Sequence, residues 1–347
     1  MTSQEGNASG LVTVVMIFLN GEKYIAEAIE SIIRQTYKNW ELVLVDDGSS
    51  DGATSIALSY AERYPGKIRY IEHEGHQNRG MSASRNAGVS TGSGEFISFL
   101  DADDIWLPDR LEHFVQVARD FPDARLIYGP TLYWYSWAEA RGEKPPVDGQ
   151  ADFAGHNDLP ARMLLIPPIV LRQFLVTQGG CLPGICSLLI RRHAFEECGG
   201  FEHSFRGLYE DQVFLSKMTA NYPIVVIDEV LDYYRQHSES CCWKSLESGE
   251  YDPLDHHPAR AVYLRWLDQY VRRLGLNDPV INRSIRNQLL PYRVPLYIPL
   301  ARICRRALRA SRRFLRAYTP PGVRRVINYG LRMVTALIKG RRLRQLP

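Results

Sequence analysis

Leu11-Val12-Thr13-Val14-Val15-Met16-Ile17-Phe18-Leu19 is a nearly unbroken apolar run rich in β-branched residues, and Trp40-Glu41-Leu42-Val43-Leu44-Val45 and Glu95-Phe96-Ile97-Ser98-Phe99-Leu100 resemble it. Runs of this length and composition are what strands buried on both faces need, and they predict a parallel sheet. Between the first two runs, Ile25, Ile29, Ile32 and Ile33 recur at helical spacing, so residues 22–36 read as an amphipathic crossover helix and complete a βαβ unit. Further helices are predicted near 51–64, 79–90 and 108–120, alternating with strands near 67–72 and 124–128. The alternation gives the fold class: an α/β protein built on an open, mostly parallel sheet with flanking helices. Residues 128–180 are less regular, with Pro145-Pro146 and Pro167-Pro168, and read as loops and short helices.

In such sheets ligands bind beyond the carboxyl ends of the strands. Polar clusters stand there: Asn20 after the first run, Asp46-Asp47-Gly48-Ser49 after the second, Asp101-Ala102-Asp103-Asp104 after the third. Taken alone, the last could be helix caps or a solvated turn. Neither a P-loop nor a dinucleotide fingerprint is present.

Composition narrows the class further. The chain has 347 residues, 45% apolar and 23% charged, enough for a large core with an appendage. Its six cysteines (181, 186, 198, 241, 242, 304) show no paired zinc-ligand spacing, and a reducing compartment is expected. No signal peptide and no apolar run of about 18 residues is found, so neither export nor a membrane span is expected. The net charge of +3 conceals a division. Residues 279–347 carry 17 of the 42 Lys and Arg and no acid, whereas residues 1–278 carry 25 basic against 39 acidic residues, a balance of −14.

The Asp101-Ala102-Asp103 sequence after a buried strand resembles the metal-binding motif of family-two glycosyltransferases with the GT-A fold. The neighbours extend the resemblance: Phe18-Leu19-Asn20-Gly21-Glu22, Val45-Asp46-Asp47-Gly48-Ser49, Asn78-Arg79-Gly80, Ser84-Arg85-Asn86-Ala87-Gly88, Gly199-Gly200-Phe201, Tyr209-Glu210-Asp211 and Tyr234-Arg235-Gln236-His237. It covers residues 11 to about 240 and specifies no particular sugar. It implies a GT-A nucleotide-binding domain over residues 8–245, a nucleotide-sugar donor (a UDP-sugar is expected), and inversion at the sugar carbon.

The resemblance also implies roles. Asp103 is a ligand of Mg²⁺ or Mn²⁺, a hard cation suited to the charge that develops on a diphosphate leaving group. Asn20 and Glu22 fall in the donor-binding half, Asp101 nears the ribose, Asp47 hydrogen-bonds the base, Arg85 orders the acidic cluster, and His237 touches the metal or the diphosphate. Glu210 and Asp211 form the catalytic pair, with Asp211 taking the proton of the acceptor hydroxyl. Plainer readings stay open beside these: Asp47 as a turn residue, Arg85 in a structural ion pair, Glu210 and Asp211 as the acidic first turn of a helix over 210–220, and His237 as a core histidine. The dipole of that helix is expected to keep Asp211 ionised. Tyr133, Trp134, Tyr135 and Trp137 offer a stacking face for an acceptor sugar, or ordinary packing.

Processive synthases of the family carry Gln-x-x-Arg-Trp. Val262-Tyr263-Leu264-Arg265-Trp266 lacks the Gln and reads as part of an amphipathic helix, so transfer of a single sugar is expected. Residues 246–347 form a basic helical extension. From Arg302 to Arg316 all seven arginines fall within a 120° arc at 100° per residue, and after Pro320-Pro321-Gly322 a second amphipathic pattern runs to Lys339. Residues 302–339 are therefore expected to lie on an anionic membrane surface, placing the enzyme at the cytoplasmic face beside a glycan or lipid-linked glycan acceptor, with docking on the protein's own acidic domain the reading left open beside it. Nucleic acid is not an expected partner, because no recognition motif accompanies the charge. The competing class is a non-catalytic membrane-surface binder of glycan or nucleotide-sugar with the same fold. Possession of both Asp103 and Asp211 argues against it, since binding needs no base.

Overall fold

The computed structural model describes residues 10–147, 149–155, 158–177, 183–251 and 257–294. The chain divides into two compact units, Met1–Tyr251 and Asp252–Pro347. The arginine arc and the second basic helix expected over 302–339 lie outside the described residues.

The first unit opens as the apolar runs require, with β1 (Val12–Phe18), α1 (Ile25–Ile33), β2 (Trp40–Asp46), α2 (Ala53–Arg63), β3 (Ile68–Glu72), α3 (Met81–Thr91) and β4 (Phe96–Phe99). Every residue of β1, β2 and β4 is buried. Helix α3 lies so close to the sheet that a Cβ on Gly88 would come within 2.3 Å of Val15, so glycine is required there. The chain continues through β5 (Ile105–Trp106), α4 (Arg110–Asp120), β6 (Leu126–Tyr128), β7 (Leu132–Trp134), α5 (Trp137–Ala140), β8 (Phe153–Ala154), β9 (Leu164–Leu165) and α6 (Ile169–Thr177). It closes with β10 (Leu188–Arg191), α7 (Arg192–Glu197), α8 (Glu210–Asn221), β11 (Ile224–Val226), β12 (Asp232–Arg235) and α9 (Cys241–Ser248).

Eight strands form the main sheet in the order β3-β2-β1-β4-β10-β6-β11-β9. The pairs β3–β2, β2–β1, β1–β4 and β6–β11 are parallel, as expected. Strand β10 enters antiparallel between β4 and β6, and β9 is antiparallel at the edge, so the sheet is mixed in its second half. A second sheet, β5-β12-β7-β8, draws three strands of two or three residues from the region beyond Asp104 around β12. The stretch 128–180, read from sequence as loops and short helices, holds α5 and α6 and also supplies the short strands β7, β8 and β9. Strands this short carry too few residues for an alternation to show.

In the second unit, α10 (Pro258–Arg273) and α11 (Pro279–Arg293) each begin with proline, whose missing N–H would have no partner in a first turn. Asp278 caps α11 by accepting from Val280 N and Ile281 N. Val262–Trp266 lies within α10. Among the described residues, no helix is long and apolar enough to cross a membrane.

Candidate active site

Two of the polar clusters brace each other at the ends of β1 and β2. Asn20, at φ 57°, accepts from Ser50 N at 2.6 Å, and Glu22 accepts from Gly52 N at 2.9 Å. Asp47 is buried and accepts from Arg79 N at 2.7 Å and Gly80 N at 3.1 Å. These carboxylates and amides hold loop backbone in place, and none of the three residues lines the cavity described next.

That cavity, about 400 Å³, opens where β4 ends and α8 begins, and gathers Arg85, Asp101, Asp103, Asp104, Glu210 and Asp211 into its wall. Arg85, on α3, is 3% exposed. Its guanidinium donates to Glu210 Oε1 at 2.9 Å and Asp101 Oδ1 at 3.2 Å, and packs over the Phe201 ring. One buried cation therefore ties the third acidic cluster to the first turn of α8. Burial, reinforced by the neighbouring Asp211 charge and opposed by Arg85, pushes the Glu210 carboxyl up to about 7. Asp211 is also pushed up by burial, against the Gln212 N–H and Arg85. The helix terminus was expected to favour the ionised form of Asp211; desolvation is the larger effect here.

Asp101 and Asp103 remain about one-third exposed to the cavity. Burial raises Asp101, with Arg85 opposing and Asp103 adding repulsion. Asp103 Oδ2 meets His237 Nε2 at 2.9 Å, while the His237 ring is 7% exposed, tilted against Tyr24, and leaves Nδ1 without a hydrogen-bond partner. His237 thus reaches the cavity through Asp103 and does not line it. Asp104 is buried and held well above the carboxylate range by burial and by the Asp103 and Asp101 charges.

Three supporting residues were not singled out in the sequence. Asp104 accepts from Arg235 N at 2.9 Å and from the Cys186 thiol at 3.2 Å. Cys186 also accepts from Asp101 N, and burial with two adjacent carboxylates raises its thiol well above the ordinary range. Arg235, fully buried, donates to the Asp103 carbonyl at 2.7 Å and to Glu27 at 2.6 Å, inside a box of Tyr24, Trp134 and Trp137. Asp104 adjoins the motif and Arg235 lies within the last quoted one. Cys186 gave no signal, since one cysteine has no spacing to read.

Ligand atoms of Asp101, Asp104 and Cys186 lie within 4.8 Å of one another. The protonated thiol and the buried Asp104 suit a hard cation poorly. The cavity-facing oxygens of Asp101 and Asp103 suit it well.

Residues 13–198, just over half of the chain, match the model of glycosyl transferase family 2. EpsE of Bacillus subtilis is 43% identical over 106 residues, covering 30% of this chain and 37% of EpsE. An uncharacterized glycosyltransferase of Rickettsia felis is 32% identical over 233 residues, 66% of this chain and 35% of its own length. The chain therefore spans little more than a third of either relative. Among solved structures, S. aureus TarS in complex with UDP-GlcNAc superposes with a TM-score of 0.57 at 19% identity, over 80% of this chain and 70% of that one. The mannosyltransferase PcManGT from Pyrobaculum calidifontis, in complex with GDP-Man and Mn²⁺, gives 0.53 at 18%, over 94% and 80%. At these identities the likeness speaks for the fold, an α/β architecture of GT-A type. With its buried strands ending in acidic clusters, its cavity between β4 and α8, and the family model matched through Cys198, the chain belongs to glycosyl transferase family 2.

Proposed function

We propose that the protein transfers a single sugar from a nucleotide-sugar donor, a UDP-sugar, to an acceptor hydroxyl on a glycan or lipid-linked glycan, with inversion. The observation that carries this is the meeting of Asp101, Asp103, Arg85 and Asp211 in one cavity. UDP-GlcNAc and GDP-Man in the related structures support a nucleotide-sugar donor. Asp103, with Asp101 beside it, would hold Mg²⁺ or Mn²⁺, which offsets the charge developing on the diphosphate when bound. His237 fixes the rotamer of Asp103 through the 2.9 Å contact. Asn20, Glu22 and Asp47 keep the donor-side loops in register.

Asp211 takes the acceptor proton as attack proceeds. Burial pushes its carboxyl up, which makes it a stronger base than a carboxylate in water. Glu210 keeps Arg85 in place and so fixes the spacing between Asp101 and Asp211. Residues 302–339 would hold the protein to the anionic cytoplasmic face of a membrane. The decisive experiment is Asp211→Asn: transfer should fall by about 10²-fold or more with donor affinity nearly unchanged, because the base acts on the acceptor and not on the donor. Transfer within threefold of wild type refutes Asp211 as the base, whereas no transfer by the wild-type protein would return it to the class of non-catalytic binders.

A further inference from the structure

The second sheet places aromatic side chains in a row. Tyr234 on β12 is in register with Tyr133 on β7, and Tyr133 with Phe153 on β8. Side chains in register across neighbouring strands point to the same face. The rings meet accordingly: Tyr234 and Tyr133 edge to face at 5.4 Å, Tyr133 and Phe153 stacked at 4.7 Å with 5° between their planes. Tyr135, just beyond β7, stacks against Phe153 at 6.3 Å. Trp134 and Tyr233, out of phase, pair with each other at 5.5 Å, with Trp134 facing Arg235.

The row begins in the cavity and ends in solvent. Tyr234 and Tyr133 line the cavity together with Asp211, whereas Phe153, on the edge strand, is 44% exposed. With strands about 4.8 Å apart, Phe153 stands one step from Tyr133 and two steps, about 10 Å, from Tyr234. Burial raises the Tyr133 and Tyr135 phenols, so both stay neutral hydroxyls near pH 7. Lys and Arg are absent from the four residues that make up the row. Ring surface left open beside the stack, with hydroxyls next to it, suits the C–H faces and hydroxyl edges of neutral pyranose rings, and the row supplies no cation to pair with an anionic sugar.

We propose that Tyr234, Tyr133, Phe153 and Tyr135 form a track for the non-reacting sugars of an extended, neutral saccharide acceptor, along which the terminal hydroxyl is brought to Asp211. The proposal rests on the transferase reading and adds to it a preference for acceptors of several sugars.

The test measures binding of cellotetraose, maltotetraose and chitotetraose to the full chain by calorimetry and saturation-transfer NMR. At least one tetrasaccharide should bind, with the ring protons of its internal sugars receiving saturation. Phe153→Ala should weaken that binding by about tenfold, and Phe153→Trp should keep it within threefold, since a flat face is what is required. Melting temperature is followed in parallel. Should Phe153→Ala lower it, Tyr135→Ala at the neighbouring ring takes its place with the same expected loss. Binding of none of the three tetrasaccharides, or equal binding by wild type and the alanine variant, overturns the track. The measurement reads saccharide binding and no transfer, so a wrong assignment of the base leaves it intact and the two failures are separable.

Discussion

Replacing Arg235 by methionine tests how the acidic cluster is held. The guanidinium is fully buried, donates to the Asp103 carbonyl and to Glu27, and sits about 5 Å from the ring centroids of Tyr24, Trp134 and Trp137. Breaking a buried ion pair costs about 3–5 kcal/mol, because it strands the partner. Here the cost is moderated, since Glu27 is 30% exposed and keeps Arg141 at 2.7 Å. The Asp103 carbonyl, however, loses a charged donor, a loss of about 1.5–3 kcal/mol, and the cation–ring contacts add about 2 kcal/mol when desolvated. Methionine fills part of the volume, which returns some packing. A net loss of about 3 kcal/mol follows, or about 6–12 °C in melting temperature for a unit of this size. Freed from its anchor, Asp103 should also need roughly tenfold more Mn²⁺ for half-maximal donor binding. Differential scanning fluorimetry and Mn²⁺ titration of donor binding read the two effects. A melting shift under 2 °C with an unchanged Mn²⁺ requirement would refute the reasoning; Arg235→Lys, which keeps the charge and loses the fork, should fall between.

Asp103→Ala should weaken metal-dependent donor binding as well as turnover, and calorimetry showing unchanged donor affinity in Mn²⁺ would remove Asp103 from the ligand set. Asp232, buried and bonded to Thr131, is pushed up to about 6 by burial. Between roughly pH 4 and pH 6 the native state therefore binds more protons than the unfolded chain, and wild-type stability declines as pH rises through 6. Asp232→Asn, which cannot ionise, should gain about 1.4 kcal/mol relative to wild type between pH 5 and pH 8 in urea denaturation; parallel pH profiles would count against it. Full-length protein should sediment with anionic liposomes, weaken as salt rises, and retain a salt-resistant remainder from apolar insertion. Changing four arginines of the 302–316 arc to Glu should release it, and equal sedimentation by that variant would defeat the membrane assignment.

What was legible in the sequence follows from locality. The runs 11–19 and 40–45 announce strands buried on both faces, Ile25, Ile29, Ile32 and Ile33 announce the helix between them, and acidic residues directly after the runs mark where a ligand would meet the sheet. Each of these signals is contained in a dozen residues. The antiparallel entry of β10, the four-stranded second sheet and the aromatic row were not legible, because pairs such as Tyr133 with Phe153 and Tyr133 with Tyr234 come from separated segments with two or three residues per strand. Arg235 is the sharpest case. In the sequence it is one letter of the Tyr234–His237 stretch with no role of its own, and it becomes a buried anchor through rings supplied at positions 24, 134 and 137.

The same non-local residues determine whether the legible ones can function. Asp101, Asp103 and Asp104 occupy four consecutive positions, and three ionised carboxylates this close in a desolvated wall would repel one another severely. The structure relieves this in three ways. Asp104 is driven well above the carboxylate range and shares its oxygens between Arg235 N and the Cys186 thiol. Asp101 is answered by the buried Arg85. Asp103 keeps an exposed face toward the cavity, with His237 on one oxygen. The carboxylates left open to the cavity are thereby Asp103 and the Arg85-bound Asp101, each about one-third exposed, with Asp211 at the start of α8 in the same wall. Arg85, Arg235 and Cys186, rather than any further acid, are accordingly where substitutions should lower stability and donor affinity together.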